Sequence, residues 1–232
     1  MPAFFTTRLG GVSDPPYHSL NLSMNVNDEN EAVSENRLRI AHLLPNEPRW
    51  LRQAHGCRVL RAENINTDAD IADASYSTTP GVVCAVLTAD CAPVLLCDED
   101  GDCVAAVHAG WRGLAVGIIE NAVTALTTFS ASDLIACIGP TISAAHYEVG
   151  DDVHRALCVT DDDKAHFTSA DNGKWYADLP ALAGRRLRDA GVKKIHDMAE
   201  CTYSSPQKFY SARRNKTTGR TAALIWIPTE VH

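Results

Sequence analysis

The sequence lacks several features that would place it in particular classes of protein. No apolar run approaches the roughly 18 residues needed to span a bilayer. The first residues, MPAFFTTRLGGVSDPPY, have no basic segment followed by a long apolar one, as a secretory signal would. We therefore expect a cytoplasmic protein with no membrane partner. The formal net charge of -8 argues against a general nucleic-acid surface, although it leaves room for a local anion pocket.

Metal motifs that are recognisable from spacing alone are also missing. The eight cysteines include no CxxC pair, which argues against a structural zinc ribbon. Several of them, such as Cys84, Cys103 and Cys137, lie in apolar stretches and are most simply interpreted as reduced core residues of a cytosolic chain. The nine histidines include no HxH pair.

The patterns that are present predict a mixed fold. At 232 residues, the chain is long enough to bury a substantial core. Apolar, β-branched runs predict strands at 81–87, 93–97, 134–138 and 221–228, a hairpin over 93–108, and a strand–turn–strand unit over 50–61. Amphipathic patterns predict helices at 30–44, 114–129, 151–158 and 180–190, and the polar segment 159–176 is predicted to be a surface insertion.

These elements predict one α/β (α+β) domain over residues 1–232. Strands and helices are interspersed, and antiparallel hairpins occur among them. That combination favours mixed β-sheets flanked by helices over a regular doubly wound sheet.

Three side chains stand out because each lies where an apolar strand gives way to a turn: His55, Cys91 and His108. Functional groups are often exposed at such positions. Two imidazoles and a thiolate suit zinc, with a fourth position left open. The spacings of 36 and 17 residues match no short zinc motif, however. A lone histidine is more often structural and a lone cysteine more often part of the core, so the residues alone leave both interpretations open.

Two neighbouring features add candidates to this group. Asp90, beside Cys91, is a candidate partner for a metal ligand or a general acid or base, and equally a carboxylate that only stabilises a turn. The Gly-Trp-Arg-Gly turn at 110–113 could direct backbone N–H groups at an anion, with Arg112 adding a charge-assisted contact. Alternatively, its glycines only allow a strand and a helix to pack closely.

Isolated arginines beside glycine turns are suited to binding phosphate, although a solvated surface arginine is the commoner case. Arg8 lies in TTRLGGVS, and Arg213 and Arg214 follow an aromatic pair in FYSARR. Arg8, Arg112 and Arg213 are therefore the candidates for phosphate or substrate binding.

Taken together, these segments resemble the YfiH-like family, whose members are often labelled laccase-domain proteins, polyphenol oxidases or peptidoglycan editing factors. The resemblance runs from residue 6 to about residue 227, and TADCAPVLL and HAGWRGL are its most specific stretches. Ala54 stands where valine is more usual. Ala145 and His146 stand where relatives often carry cysteine, so no role is assigned to that place. The other matching stretches are TTRLGGVS, YHSLNLS, QAHG, IGPTIS with YEVG, CTY, FYSARR and TGR.

The resemblance implies zinc bound by His55, Cys91 and His108. It also implies phosphorolysis of adenosine, inosine, guanosine and methylthioadenosine, with deamination of adenosine in addition. Asp90 is then a candidate catalytic acid or base beside the ligands. The expected partners are purine nucleosides and phosphate, and the expected state is a monomer or small homo-oligomer.

Two other enzyme classes compete with this interpretation. A copper polyphenol oxidase, which the older family label suggests, would need about ten histidine and cysteine ligands with paired HxH motifs, and this chain has nine histidines and no HxH pair. A Cys-His hydrolase would use Cys91 as nucleophile with His55 or His108 as base, and could cleave an amide in a peptidoglycan precursor. A non-enzymatic binding module would leave the three reactive groups without explanation.

Overall fold

The computed structural model describes residues 1–130 and 132–229; residue 131 and residues 230–232 of the predicted domain lie outside them. The described residues form the mixed α/β fold that the sequence predicts, with mixed and antiparallel sheets. The helices are α1 (Asn30–Ala41), α2 (Trp111–Ala115), α3 (Ile118–Thr127), α4 (Asp151–Leu157) and α5 (Leu179–Asp189). The strands are β1 (Ala3–Phe5), β2 (Val59–Arg61), β3 (Ala74–Ser77), β4 (Val83–Thr88), β5 (Ala92–Asp98), β6 (Val104–Ala109), β7 (Leu134–Ile138), β8 (Glu148–Val149), β9 (Phe167–Ser169), β10 (Trp175–Ala177), β11 (Lys194–Asp197) and β12 (Thr221–Trp226).

The largest sheet has six strands in the order β11-β7-β5-β6-β3-β2. Its outer pairs, β11 with β7 and β2 with β3, are parallel, and the inner pairs are antiparallel. The predicted hairpin over 93–108 is the β5–β6 pair. Both of its strands are buried on both faces: Val94 and Leu96 pack in the core on the helical side, and Leu95 packs on the other side. Burial on both faces explains why these strands read as continuous apolar runs.

A second sheet, in the order β1-β12-β4, covers the face of the large sheet that the helices leave free. Its own outer face is covered in turn by Leu22, Ile40 of α1 and Trp50. A small third sheet, β8-β10-β9, lies beside α4. Within the described residues, no helix is both long and apolar enough to cross a membrane.

Two predictions of local structure are wrong, and a third holds only in part. The helix predicted over 114–129 is two helices, because Gly117 adopts a left-handed φ of 86° between α2 and α3. The first half of the strand–turn–strand over 50–61 forms only an isolated bridge at Arg52, and only β2 is a strand. The segment 159–176 is mostly exposed, as a surface insertion should be, but it carries a 3₁₀ turn (Asp161–His166) and β9, and Phe167 within it reaches the core.

Candidate metal centre and its cavity

The structure brings His55, Cys91 and His108 together, with one potential ligand atom from each lying within 4.8 Å of the others. Cys91 Sγ is 3.9 Å from His55 Nε2, and the two imidazole rings meet edge to face with centroids 4.8 Å apart. His108 lies on β6 and is buried, Cys91 immediately precedes β5 and is half-buried, and His55 lies on an exposed loop. Within the part of the chain that the structure describes, this is the one such group of potential metal ligands.

Asp73, which the sequence analysis did not single out, joins the two histidine segments. Its Oδ1 lies 2.8 Å from His108 Nδ1, and its two oxygens accept hydrogen bonds from the backbone N–H groups of Ala54, His55 and Gly56. Because a carboxylate only accepts, His108 donates from Nδ1 and keeps Nε2 as its free ring nitrogen. This arrangement fixes the tautomer and orientation of a metal-ligating histidine.

The electrostatics of the cluster favour a thiolate. Burial alone would raise the pKa of the Cys91 thiol, but the adjacent His108 and His55 rings outweigh burial and lower that pKa below its ordinary value. Burial would likewise lower the pKa of His108, but the Cys91 and Asp73 partners raise it. A thiolate is the form of cysteine that binds metals and acts as a nucleophile.

Asp90 lies beside the cluster with its carboxylate fully engaged. Oδ1 accepts from Thr202 Oγ1 at 2.6 Å, and Oδ2 accepts from Ser211 Oγ at 3.0 Å and from the backbone N–H of Arg213 at 2.7 Å. Its φ is 93°, a conformation that costs a non-glycine residue free energy. These contacts hold the backbone immediately before Cys91. The carboxylate partner of His108 is Asp73, not Asp90.

Gly110 provides the space in which the cluster is packed. A Cβ atom at this position would lie 2.9 Å from Cys91 Sγ and 3.1 Å from His55 Cδ2. The glycine of the predicted Gly-Trp-Arg-Gly turn therefore makes room for two candidate ligands, in addition to preceding α2.

A cavity of about 400 Å³ opens at the cluster. That volume lies within the range of ligand-binding pockets, about 300–1,000 Å³. Besides the three candidate ligands, the cavity is lined by Ser23, Asn25, Val26, Leu51, Gln53, Leu87, Thr88, Ala89, Asp90, Tyr147, Ala212, Arg213 and Arg220.

Of the three candidate phosphate-binding arginines, one lines this cavity and two do not. Arg213 lines it, with its Nη1 donating to the Glu148 carbonyl and its guanidinium over the Tyr147 ring. Arg8 and Arg112 are not among the lining residues. Arg8 instead donates to the carbonyls of His18 and Pro206, and Arg112 lies over the Trp111 ring.

Arg220 also lines the cavity, and the sequence analysis named it only within the TGR stretch. Nothing in the pattern of nearby residues distinguishes it from other arginines, because its position depends on how β12 pairs with β4. Tyr147 was missed for a similar reason: it reaches the cavity from the segment just before β8.

The donor set fits a metal ion. A neutral imidazole with its second nitrogen bonded to a carboxylate, a second imidazole and a thiolate are the groups that bind zinc and, in other geometries, copper. The cluster therefore suits either zinc or copper.

The chain matches the family model described as multi-copper polyphenol oxidoreductase laccase over residues 2–228. Among curated proteins, it is 45% identical over 224 residues to the purine nucleoside phosphorylase YfiH of Escherichia coli, covering 96% of this chain and 92% of that protein. It is 44% identical over 227 residues to a purine nucleoside phosphorylase of Pseudomonas aeruginosa, covering 97% and 93%.

Solved structures share the same fold. A protein of Neisseria meningitidis matches with a TM-score of 0.92 at 42% identity, covering 98% of this chain and 94% of that one. YlmD of Geobacillus stearothermophilus matches with a TM-score of 0.91 at 30% identity, covering 98% and 92%.

Proposed function

We propose that this chain, which belongs to the multi-copper polyphenol oxidoreductase laccase family, is a purine nucleoside phosphorylase. The observation that carries this proposal is that the His55–Cys91–His108 cluster opens onto the same cavity as Arg213. A cluster that suits a metal ion and the guanidinium of Arg213 share one cavity, which could therefore bind a nucleoside and a phosphate together. The activity itself is the one named for the curated relatives.

The proposed substrates are adenosine, inosine, guanosine and methylthioadenosine, with deamination of adenosine as a second activity. In phosphorolysis, a phosphate oxygen forms a bond to C1′ of the sugar while the bond from C1′ to the purine breaks. The departing base takes up a proton. Catalysis therefore requires a held phosphate, a positioned sugar and a proton donor near the base.

Zinc is the proposed cofactor, with His55, Cys91 and His108 as its ligands. When bound, zinc would supply Lewis acidity at the mouth of the cavity. Asp73 holds His108 and the loop of His55 in place, so two of the three ligands depend on one carboxylate.

The other site residues have separate proposed roles. Arg213 holds phosphate from the cavity wall. Asp90 was a candidate acid or base, and its three hydrogen bonds favour positioning of Cys91 instead. Tyr147 lines the cavity and burial raises the pKa of its phenol, so its proposed role is to donate a hydrogen bond to substrate.

The test is phosphate-dependent release of base from adenosine and inosine, measured with and without a chelator. We expect release to require phosphate and to stop on chelation, and we expect His55→Ala and Cys91→Ala each to abolish phosphorolysis and deamination. Full phosphorolysis by a metal-free Cys91→Ala protein would exclude the proposal.

A Cys-His hydrolase is the second candidate, because Cys91 Sγ lies 3.9 Å from His55 Nε2. In that enzyme Cys91 would attack a carbonyl, such as an amide of a peptidoglycan precursor, and a histidine would take the thiol proton. Rapid alkylation of Cys91 in freshly purified, metal-free protein would favour it. Slow alkylation that accelerates only after chelation favours the metal enzyme.

Copper polyphenol oxidation is the activity that the family description names. Among the described residues, the His55–Cys91–His108 group is the one cluster of its kind, which leaves no second cluster for a multi-copper centre. Metal analysis of freshly purified protein distinguishes the two: stoichiometric copper would reverse the ranking, and stoichiometric zinc supports the phosphorylase.

A further inference from the structure

We propose that Arg220, together with Arg213, forms the phosphate subsite of the cavity; this assignment rests on the proposed phosphorylase function. Arg220 immediately precedes β12 and lines the same cavity as the His55–Cys91–His108 cluster. No sequence pattern assigns it a ligand, but its backbone is tightly held and its guanidinium has no carboxylate partner among the described residues.

The backbone around Arg220 is held tightly. Its N–H donates to Asn21 Oδ1 at 2.9 Å, and its carbonyl accepts from Leu22 N–H at 3.2 Å. A Cβ on the preceding Gly219 would lie 2.7 Å from Tyr210 Cζ and 2.9 Å from Asn21 Cβ. The backbone at 219–220 therefore has little freedom, and the start of the Arg220 side chain is fixed relative to the cavity.

Hydrogen bonds orient the Arg220 guanidinium but occupy only one of its three nitrogens. Nη1 donates to the carbonyls of Thr218 at 2.9 Å and Gly219 at 3.0 Å. A guanidinium carries five N–H donors in a planar fork, so Nε and Nη2 remain for a further acceptor. An anchored guanidinium loses little conformational freedom when an oxyanion binds its free edge.

Neither cavity arginine has a carboxylate partner among the ion pairs of residues 1–130 and 132–229. Some partly buried arginines in the protein do, since Arg37 pairs with Asp68, and Arg185 and Arg186 pair with Asp163. Others, Arg8 and Arg214, donate to backbone carbonyls instead. Burial desolvates the guanidinium and lowers the pKa of Arg220, while the negative charges of Cys91 and Asp90 act in the opposite direction. A bound anion would offset that cost.

The one carboxylate in the cavity wall does not serve as that anion. Asp90 lines the cavity, but its oxygens already accept from Thr202, Ser211 and the Arg213 backbone. Arg213 and Arg220 thus both line the cavity, and neither guanidinium forms an ion pair with Asp90. A tetrahedral dianion with several acceptor oxygens matches two planar forks, and inorganic phosphate is such a ligand.

The binding experiment is calorimetric titration of the zinc-loaded full chain with inorganic phosphate at fixed ionic strength. We compare wild type with Arg220→Gln, Arg220→Lys and, as control, Arg188→Gln, which removes the same charge from the exposed face of α5. Loss of charge-assisted hydrogen bonds should raise the Kd of Arg220→Gln about tenfold or more, with Arg220→Lys intermediate and Arg188→Gln within about twofold.

Steady-state kinetics on the same proteins give the second readout. We expect Arg220→Gln to raise the KM for phosphate much more than the KM for inosine. Thermal unfolding and zinc content check that each variant is folded and loaded. If Arg220→Gln does not fold, Arg220→Lys carries the test, because it keeps the charge and loses the fork.

The outcomes separate this subsite from the proposed function. Arg220-dependent phosphate binding without any phosphorolysis supports the subsite and excludes the phosphorylase. Phosphorolysis with an unchanged KM for phosphate in both Arg220 variants supports the phosphorylase and overturns the subsite. Absence of phosphate binding by wild type, or Arg220-dependent binding of adenosine monophosphate but not of inorganic phosphate, also overturns it.

Discussion

Asp73 accepts hydrogen bonds from three successive backbone N–H groups, at residues 54–56, and from the ring of His108. Four donors converge on one buried carboxylate, and their joint effect outweighs burial and holds the pKa of Asp73 below its ordinary value. A single side chain thus sets both the backbone of one candidate ligand and the ring orientation of another.

Asp73→Asn should weaken metal binding while leaving all three ligands in place. An asparagine amide presents N–H donors where the carboxylate accepted them, so at least one of the four donors loses its acceptor. Loss of such a partner typically weakens metal binding by about 10–100-fold. Zinc affinity is measured by competition with a chromogenic chelator. Asp102→Asn, which removes the same charge from an exposed turn, is the control, and equal affinities of the two variants would contradict the role given to Asp73.

Gly110→Ala should disturb the cluster through volume alone. Its Cβ would lie 2.9 Å from Cys91 Sγ and 3.1 Å from His55 Cδ2, so one or both side chains must shift. Overpacking of this kind costs about 1–3 kcal/mol, and we expect zinc affinity to fall accordingly while the fold persists. Gly56→Ala is the matched control, because its Cβ would meet only Asp73 Oδ2, at an ordinary 3.6 Å. Zinc binding by the Gly110→Ala variant equal to that by Gly56→Ala would show that the packing is not tight.

At the scale of elements, Gly117 divides what the sequence predicts as one helix. The apolar pattern from Leu114 to Phe129 has helical periodicity throughout, so periodicity alone could not reveal the break. The left-handed φ of 86° at Gly117 ends α2 and redirects the chain into α3, whose apolar face packs on the large sheet. A glycine inside a helical pattern is the only local signal, and it is compatible with an unbroken helix as well.

Gly117→Ala should therefore destabilise the fold rather than extend the helix. An L-residue held in the left-handed region costs about 1 kcal/mol relative to glycine. Gly184→Ala, in the interior of α5 with neighbours no closer than 3.6 Å, should instead stabilise the protein slightly, because alanine favours helix. Urea denaturation of both variants gives the two free energies of unfolding. An increase for Gly117→Ala would mean that the break is easily relaxed.

The strands that position the site were easier to predict than the contacts within it. β4, β5, β7 and β12 follow from apolar runs bounded by turns, and the hairpin follows from DEDGD. Asp73 could not be found this way, because it lies in a polar segment, DADIADAS, with several similar carboxylates. Only the antiparallel pairing of β3 with β6, in which Ala74 faces Val107, brings it against His108.

At the scale of the whole molecule, the candidate site lies where the two large sheets end together. Thr88 at the end of β4 pairs with Thr221 at the start of β12, and Ala92 at the start of β5 pairs with Ala109 at the end of β6. Cys91, His108 and Arg220 each lie next to one of these four ends. The sequence predicts the strand ends one by one, but their meeting depends on registers that no local pattern specifies.

Acid should weaken the fold, because the charge of some buried carboxylates is stabilised by hydrogen-bond donors of the protein rather than by water. Asp163 is buried; Oδ2 accepts from Val159 N–H and from Thr160 N–H and Oγ1, and Oδ1 lies 3.2 Å from Arg185 and from Arg186. Burial opposes its charge, but these partners lower its pKa below the ordinary value. The unfolded chain then binds the proton more readily than the folded one. This contribution to stability is complete above the ordinary aspartate pKa of about 3.9 and is lost as pH falls towards the folded value.

Asp163→Asn should accordingly change both the level and the slope of stability against pH. At pH 7 it removes the carboxylate that faces Arg186, a change that typically costs about 3–5 kcal/mol when such a pair is buried, whereas Arg185 keeps Asp162 and Asp189 as partners. Its free energy of unfolding should then decline less steeply than that of wild type between about pH 5 and pH 3, because the group that titrates in the folded state is gone. Asp171→Asn, at an exposed carboxylate of the next 3₁₀ turn (Asp171–Gly173), should follow the wild-type curve closely. Urea denaturation across this pH range gives the three curves. Parallel wild-type and Asp163→Asn curves would show that another group carries the acid sensitivity.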